Sequence, residues 1–547
     1  MSTELWKGSP RWRIIVPTMI FTLHRYVFRE LLRVFILATV GLTLIVSLGG
    51  ILRPVQEYGI APRQVVHILT YFMPVSLTFV MPVAALFAAA LTYGRFAVDN
   101  ELDACRASGV SILTLIYPGF VLAILVAIAN LLLSFHVMPY FVHLAERSLK
   151  ADAKQILFHN IQQKGYYALP PHYFLYADYA DAENDTLFGI VVVLYENGRV
   201  KKTITSEATK VHFDPHDKFN EVQLMISKAK QIGDLANDDW WEVGSLPLKK
   251  EFSSLIEDEI KFKKIEEMKQ IHANLMLFDP IARAARLAYQ QLLTELLAED
   301  IGKVMSAGGV YELAGESRGV KISAKSCALT KQFTIELLAP VVIEERDTRT
   351  AQLLRRLRSD KNAVLGMEEN VLPARWILGL SDASVEETGQ FTFHDCIGDL
   401  RLPASLAERL GSDSPLPTAL PDRTPALLRG APSSMLAERQ STLVREINMA
   451  QVHILSEIHS RLIFGIGCIP MILIGISLGI LQREGHLLSA FGASCVPAAI
   501  LGVAIISGKQ VAENVSMMVM PGILLMWSGL GLLLVLAALT YRRLLRH

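Results

Sequence analysis

Charge is scarce in this sequence. Of its 547 residues, 19% are Asp, Glu, Lys or Arg and 51% are hydrophobic, whereas an ordinary soluble domain carries about 25% charged residues. The shortfall implies that part of the chain is solvated by lipid, and the mean hydropathy of +0.34 agrees. Basic and acidic residues balance at 53 each, which argues against a nucleic-acid binder. Cysteine is sparse too: the five present form no CxxC and no other metal or redox spacing. If the middle of the chain lies outside the cytoplasm, Cys327 and Cys396 either form a disulfide or stay as two buried free thiols. Signatures of catalysis are missing. Gly302-Lys303 is followed by Val304 and Gly508-Lys509 by Gln510, so neither completes a P-loop. There is no HExxH pair or kinase signature. The fourteen histidines are scattered. His212 and His216 have the spacing of a helical metal pair, but Pro215 between them breaks that geometry and points to a solvated loop. No catalytic residue, cofactor or metal is assigned, and the chain is not expected to be an enzyme. No cleavable secretory signal is visible, because the first apolar run is too long and follows polar, basic sequence.

What is abundant is long apolar sequence. A hydrocarbon core about 30 Å thick needs roughly 20 apolar residues in a helix. Val34–Leu52, Val65–Tyr93 and Val110–Val137 meet that length, as do Leu462–Leu481, His486–Ser507 and Val515–Tyr541. Pro74, Pro82, Pro118, Pro470, Pro497 and Pro521 mark expected kinks or boundaries. Ionisable groups are nearly missing from these runs, whereas ion-coupled transporters need them there. Any energy source must therefore come from another chain.

Basic residues orient the spans. Lys7, Arg11, Arg13, Arg25, Arg29 and Arg33 precede the first, and Arg542, Arg543 and Arg546 follow the last. With both termini cytoplasmic, Arg95, Arg106 and Arg483 also fall inside, and only Arg53, Arg63 and Lys509 fall in short outer loops. The expected organisation is three spans within residues 1–139, an extracytoplasmic region over 140–460, and three more spans within 461–547. The outer region reads as β-rich from Gly165 to Glu259, with His172–Tyr176 and Val222–Ile226 as strands. An Asn197-Gly198 hairpin turn lies between two β-rich runs. Lys261–Glu299 is helical in pattern, with Leu275, Leu287, Leu292 and Leu296 among charges. A second β-rich stretch covers Val310–Ile397, interrupted by a basic helical piece at Thr350–Leu357. Gly411–Ser434 reads as a flexible loop, and a helix from Thr442 leads into the fourth span.

Between spans two and three lies Asp99-Asn-Glu101-Leu-Asp103-Ala-Cys-Arg106-Ala-Ser108-Gly109-Val-Ser111. Its pattern predicts a short helix with acids at the start, Arg106 near the end and Gly109 as its cap. This string resembles the cytoplasmic loop of the LptF/LptG permease family, the membrane subunits of the lipopolysaccharide export ABC transporter. Other stretches agree in order. They are Arg25-Tyr-Val-Phe-Arg-Glu30 before span one, Glu457-Ile-His459-Ser-Arg461 before span four and Leu478-Gly479-Ile-Leu-Gln-Arg483-Glu-Gly485 after it. Gly508-Lys-Gln-Val-Ala-Glu-Asn514 leaves span five, and Pro521 opens span six. The resemblance covers the first 260 residues and the last hundred or so. It implies an inner-membrane permease subunit with a periplasmic β-jellyroll, paired with a like or paralogous permease and with two copies of a cytoplasmic, LptB-like ABC ATPase. Lipopolysaccharide or a related lipid would pass to a bridge of similar periplasmic jellyroll proteins. The stretch 302–440 departs from the family pattern as an extra insertion.

The resemblance makes Glu101 the first candidate site, a carboxylate on a coupling helix facing a basic group of the ATPase; Asp103 and Arg106 come second. Read by itself, each is a charge on a solvated helix face. Arg53, Arg63 and Lys509 are candidates for lipid head-group phosphate, or else snorkelling anchors. Gly475, Gly479, Gly502, Gly508, Gly529 and Gly531 suit close helix packing. Tyr173, Phe174, Tyr176, Phe188 and Tyr195 read as β-sandwich core rather than a lipid groove. A competing reading is a membrane-anchored envelope scaffold or sensor without transport, which would have no need of an ATPase-docking helix.

Overall fold

The computed structural model describes residues 12–545 apart from 59–61, 152, 170–172, 197–198, 216–219, 233–239, 253–258, 316–317, 332, 349, 351, 368–373, 386–390, 411–419, 429, 482–486 and 515–518. The chain opens with helices α1 (Trp12–Tyr58), α2 (Pro62–Val98), α3 (Glu101–Ala107) and α4 (Ile112–Leu132). A π-helical turn, Leu133–Val137, joins α4 to α5 (Met138–Ala151), and α6 (Ala153–Lys164) follows. Strands come next: β1 (Tyr166–Leu169), β2 (Tyr173–Tyr176), β3 (Tyr179–Asp181), β4 (Thr186–Glu196), β5 (Arg199–Pro215), β6 (Asn220–Ile232) and β7 (Trp240–Phe252). Helices α7 (Ile265–Ala273) and α8 (Asp279–Ser306) precede β8 (Tyr311–Ala314), β9 (Arg318–Ser323), β10 (Ser326–Lys331), β11 (Thr334–Leu338) and β12 (Val341–Asp347). Then come β13 (Leu353–Ser359), β14 (Ala363–Met367), β15 (Arg375–Val385) and β16 (Phe391–Arg401). The chain ends with α9 (Ala404–Leu410), α10 (Leu420–Leu427), α11 (Ser434–Leu481), α12 (Leu487–Asn514) and α13 (Val519–Leu544).

Among the described residues six helices are long and apolar enough to cross a membrane: Phe21–Leu52, Val65–Val98, Ile112–Ala145, Ser434–Leu481, Cys495–Asn514 and Val519–Leu544. Each contains one of the apolar runs or most of it. The chain divides into two compact units, Met1–Met268 with Val452–His547, and Lys269–Gln451.

In the first unit the helices meet through small residues. Ala84, Ala85, Ala88, Ala89 and Ala90 of α2 are buried, and the glycines of α11 lie against this face. A Cβ placed on Gly479 would stand 2.6 Å from the Ala90 carbonyl and 2.8 Å from the Gly94 nitrogen; one on Gly475 would stand 2.5 Å from the Leu86 carbonyl. Gly508 of α12 approaches the Gly522 carbonyl of α13 just as closely, and Gly529 lies against Ala504. Lipid tails give no hydrophobic drive to helix pairing, so such approach, which brings backbone atoms within van der Waals range, is what holds the bundle. Gly502 and Gly531 differ from expectation: among the described residues a Cβ on either meets nothing within 4 Å.

The first unit also holds a seven-stranded antiparallel sheet in the order β1-β2-β4-β5-β6-β7, with β3 on β4. Apart from β2 beside β4, with β3 between them in the chain, neighbouring strands follow one another in sequence. The sequence signal at Asn197-Gly198 corresponds to the junction of β4 and β5, paired Glu196 to Arg199; the dipeptide itself lies outside the described residues. One face buries Tyr167, Leu175, Leu187, Ile190, Val192, Ile204 and Val211, and Leu157, Phe158 and Ile161 of the neighbouring α6 are buried as well. The aromatic residues expected in the core are on the other face. Tyr176, Phe188 and Tyr195 are each at least 40% exposed, and Phe174 is half-buried. Strand alternation explains it: Leu175, between Phe174 and Tyr176, takes the inward position. The side chain of Tyr173 lies outside the described residues.

In the second unit, a nine-stranded antiparallel sheet runs β10-β11-β14-β15-β13-β12-β9-β8, with β16 on β15. A bridge between Gly315 and Leu400 brings the β8 end back to β16. Trp376, Leu378, Leu380, Ile335, Leu337 and Leu365 alternate into a core that α8 covers with Leu293, Leu297 and Ile301. The helix expected over Thr350–Leu357 is instead strand β13. Two of its arginines face acids on β12, one on each side of the sheet, with Arg355 opposite Glu345 and Arg356 opposite Glu344. Glu345 is buried and pairs with both Arg318 and Arg355. Part of the expected loop Gly411–Ser434 is helix α10, residues 411–419 lie outside the described set, and the helix expected from Thr442 begins at Ser434. Cys327 is a free thiol that burial pushes up in pKa, and it donates to the Ala298 carbonyl at 3.4 Å. The disulfide alternative is therefore not adopted; the Cys396 side chain is outside the described set.

Gly479→Val is expected to lower the thermal unfolding midpoint of the detergent-solubilised chain, with an overpacking cost of about 1–3 kcal/mol. Gly502→Val should leave the midpoint nearly unchanged, and equal shifts would contradict the packing assigned to Gly479.

Candidate functional site

The loop between the second and third spans is a built structure. Asn100 takes a left-handed conformation (φ 58°) and starts α3. At the other end the Val110 nitrogen donates to the Cys105 carbonyl and Gly109 to that of Arg106, with Gly109 at φ +83°. This is a Schellman cap, and the positive φ is why glycine stands there. Ser111 then caps α4, accepting from the Thr114 nitrogen at 3.3 Å. Leu102 is buried in the cluster formed by Val27, Leu31, Phe96 and Leu115, and so pins the seven-residue helix to the spans.

With Leu102 inward, Glu101 and Arg106 are exposed and Asp103 is half-buried. Glu101 accepts a long hydrogen bond, 3.5 Å, from the Tyr26 hydroxyl. Tyr26 stacks on Phe96, and Glu30, one turn on, pairs with Arg95 at 3.0 Å. His24 reaches the Thr114 carbonyl at 3.0 Å. The structure thus brings together the Arg25–Glu30 stretch and the Asp99–Ser111 loop, which are far apart in sequence. Burial, and then the charge of Glu101, raise the pKa of the Cys105 thiol.

The three candidates for lipid phosphate are not gathered into one site. Arg53 lies on α1 and Arg63 on α2, with side chains outside the described set. Lys509 of α12 donates to Glu457 of α11 at 2.5 Å, and the other Glu457 oxygen takes Arg461 at 2.9 Å. Glu457 and Arg461 are buried, whereas Lys509 is 31% exposed. One carboxylate between two cations leaves a net positive charge, and its accessible part is the Lys509 ammonium. Composition gave Lys509 as an outer cation; its buried counter-ion was missed because Glu457 sits 52 positions away on another helix. The pairing of Glu457 with Arg461 was readable from their i,i+4 spacing. Among the described residues no group of three His, Cys, Asp or Glu is placed to hold a metal.

Six apolar helices together with sheet-rich regions define a multi-pass helical membrane protein with a β domain. Residues 25–232 match the family model described as lipopolysaccharide export system permease LptF/LptG. Over that segment the chain is similar to the LptF/LptG permease family. The matched residues include the first three spans, the α3 loop and the sheet through β6. No curated protein matches the chain.

In a chain keeping Cys105 as its one thiol, maleimide labelling should be slow at neutral pH and rise as pH climbs past the ordinary thiol range. Glu101→Gln removes the second cause of that shift, moves the rate profile to lower pH, and should speed labelling at pH 7 by roughly twofold or more. An unchanged profile would separate the carboxylate from the thiol.

Proposed function

We propose that the chain is a half-transporter that extracts lipopolysaccharide or a related glycolipid from the inner membrane, driven by ATP hydrolysis on a separate cytoplasmic subunit. The observation that carries this reading is the α3 helix, pinned by Leu102, closed by a Schellman cap and presenting Glu101 outward. A helix so anchored passes a push from a docked partner into α2 and α4 without folding away. In this reading both termini are cytoplasmic, two groups of three spans flank the periplasmic region, and α3 seats in a groove of an LptB-like ATPase dimer. Asp103 and Arg106 add polar contacts at that seat. A second permease of this family, paralogue or copy, completes the cavity. The first and fifth spans suit that role, since only 28% of the apolar window of each is buried within the chain.

The seven-stranded sheet is taken as the jellyroll-like element that receives acyl chains. Support comes from its exposed face, where Tyr166 and Tyr176 pair at 5.6 Å and Tyr179 and Phe188 at 6.1 Å between ring centroids. A soluble sheet shows polar residues on such a face, and contiguous exposed apolar rings mark a binding surface. Head-group phosphate would meet Lys509, Arg53 and Arg63, and further periplasmic jellyroll proteins would take the lipid onward. The scaffold or sensor reading explains neither the built loop nor the aromatic face.

Glu101→Lys should abolish lipid transfer and retention of the ATPase on the detergent-solubilised complex, with the chain still inserted and folded. Normal transfer by this variant would remove Glu101 from the coupling site. Failure of the wild-type chain to retain any P-loop ATPase would overturn the transporter reading itself.

A further inference from the structure

The chain that leaves the seven-stranded sheet is fastened to the spans before it goes on. Ile260–Phe262 form a 3-10 turn with Ile260 buried. Phe262 packs on Val75 of α2 and on Met138 and Val142 of α5. Glu267 accepts from the Lys264 nitrogen at 3.0 Å and pairs with His143 of α5 at 3.2 Å. The Lys264 ammonium lies 5.9 Å from the centre of the Tyr140 ring.

At the centre of this attachment is Arg461, its side chain 3% exposed. One terminal nitrogen donates to the Lys263 carbonyl at 3.1 Å and the other to the Lys261 carbonyl at 2.8 Å. Its Nε goes to Glu457 at 2.9 Å. The guanidinium carbon lies 5.7 Å from the centre of the Phe135 ring, and Phe135 belongs to the π-helical turn that interrupts the third span. Such turns are uncommon and concentrate where a helix must present a side chain out of its regular register. Glu457 in turn holds Lys509 of α12. One buried cation therefore joins the third, fourth and fifth spans to the 3-10 turn that follows the sheet. A planar fork suits two carbonyls and a carboxylate at once, which a lysine ammonium does not reproduce. Losing the fork leaves Glu457 and two carbonyls short of donors in a buried place.

We propose that Arg461 is a positioning residue for lipid transfer: the rigid link through which displacement of the fourth span moves the segment Lys261–Lys263, which follows the sheet in the chain. The proposal rests on the permease reading. It separates Arg461 from the ATPase contact, since Gly479 of the same helix abuts Gly94 near α3, while Arg461 is 18 residues, or about 27 Å, away along the axis. A contact that only stabilised the fold would not distinguish hydrolysis from transfer, whereas a link between them does.

The experiment compares wild type, Arg461→Gln and Arg461→Lys as full chains in nanodiscs and as the complex with its ATPase in proteoliposomes containing lipopolysaccharide. In both variants amide exchange across residues 260–264 should quicken about tenfold with the spans unaffected. ATP hydrolysis should stay within about twofold of wild type while lipid transfer falls about tenfold or more. Phe262→Ala loosens the same attachment from its apolar side and should give the same split, which keeps the test open if an arginine variant fails to insert. Unchanged exchange at 260–264, or hydrolysis and transfer falling in step, overturns the proposal. A wild-type complex that retains its ATPase and moves no lipid sinks the permease reading, and the coupling role with it.

Discussion

Two glycines one turn apart on the fourth span, Gly475 and Gly479, let its backbone lie on that of the second span at Leu86, Ala90 and Gly94. A Cβ on either would meet second-span backbone at 2.5 or 2.6 Å, so neither position tolerates added volume. In lipid, apolar side chains gain little by leaving the tails for one another, so helix pairs depend on dispersion between closely approaching backbones. This contact joins helices from opposite ends of the sequence. It fixes where the N-terminal half of α11 begins, and hence where Glu457 and Arg461 stand relative to the third and fifth spans. It also fixes the end of α2 from which the α3 loop emerges.

Charged pairs among the spans of the first unit gather toward the ends of the helices. At one end Tyr26, Glu30, Arg95 and Glu101 form a belt around α3, and at the other Glu457, Arg461 and Lys509 form a buried knot. Between them the packing surfaces are mostly alanine, glycine and aliphatic side chains, with buried hydroxyls such as Thr43, Ser47 and Ser477, and with Asn130 at 0% exposure, its amide nitrogen turned to Cys468. An apolar, close-packed middle has low compressibility. It carries displacement from one polar end to the other as a stiff body, and this suits a subunit that receives work from a partner rather than from ions crossing its interior.

Much of this was legible in the sequence. Six spans followed from run length alone, because in lipid the backbone must satisfy itself and the apolar stretch has to match the bilayer. The α3 helix and its Gly109 cap were readable because a Schellman turn needs a residue tolerant of positive φ, and the resemblance that rested on that loop is matched over residues 25–232. Local pattern failed where tertiary pairing decides. Thr350–Leu357 carries enough arginine and leucine to pass for a helix, yet the acids of β12 select the strand. The aromatic residues of β2 and β4 went to the exposed face because composition cannot say which phase of an alternation is inward, and Leu175 and Ile190 took the core. The attachment at Arg461 was hidden because its acceptors are backbone carbonyls, which leave no mark on a sequence.

The first unit is assembled from two stretches of chain separated by the whole of the second unit, Lys269–Gln451. On a ribosome adding about 5–20 residues per second, α2 is complete tens of seconds before α11 emerges. Its alanine face, Ala84 to Ala90, meets the bilayer in that interval with no glycine backbone to receive it. Small residues make that wait tolerable: a smooth methyl surface offers lipid tails no polar atom to avoid and offers other nascent helices little to grip. The same residues that permit a close backbone contact in the finished protein thus keep its half-made form inert.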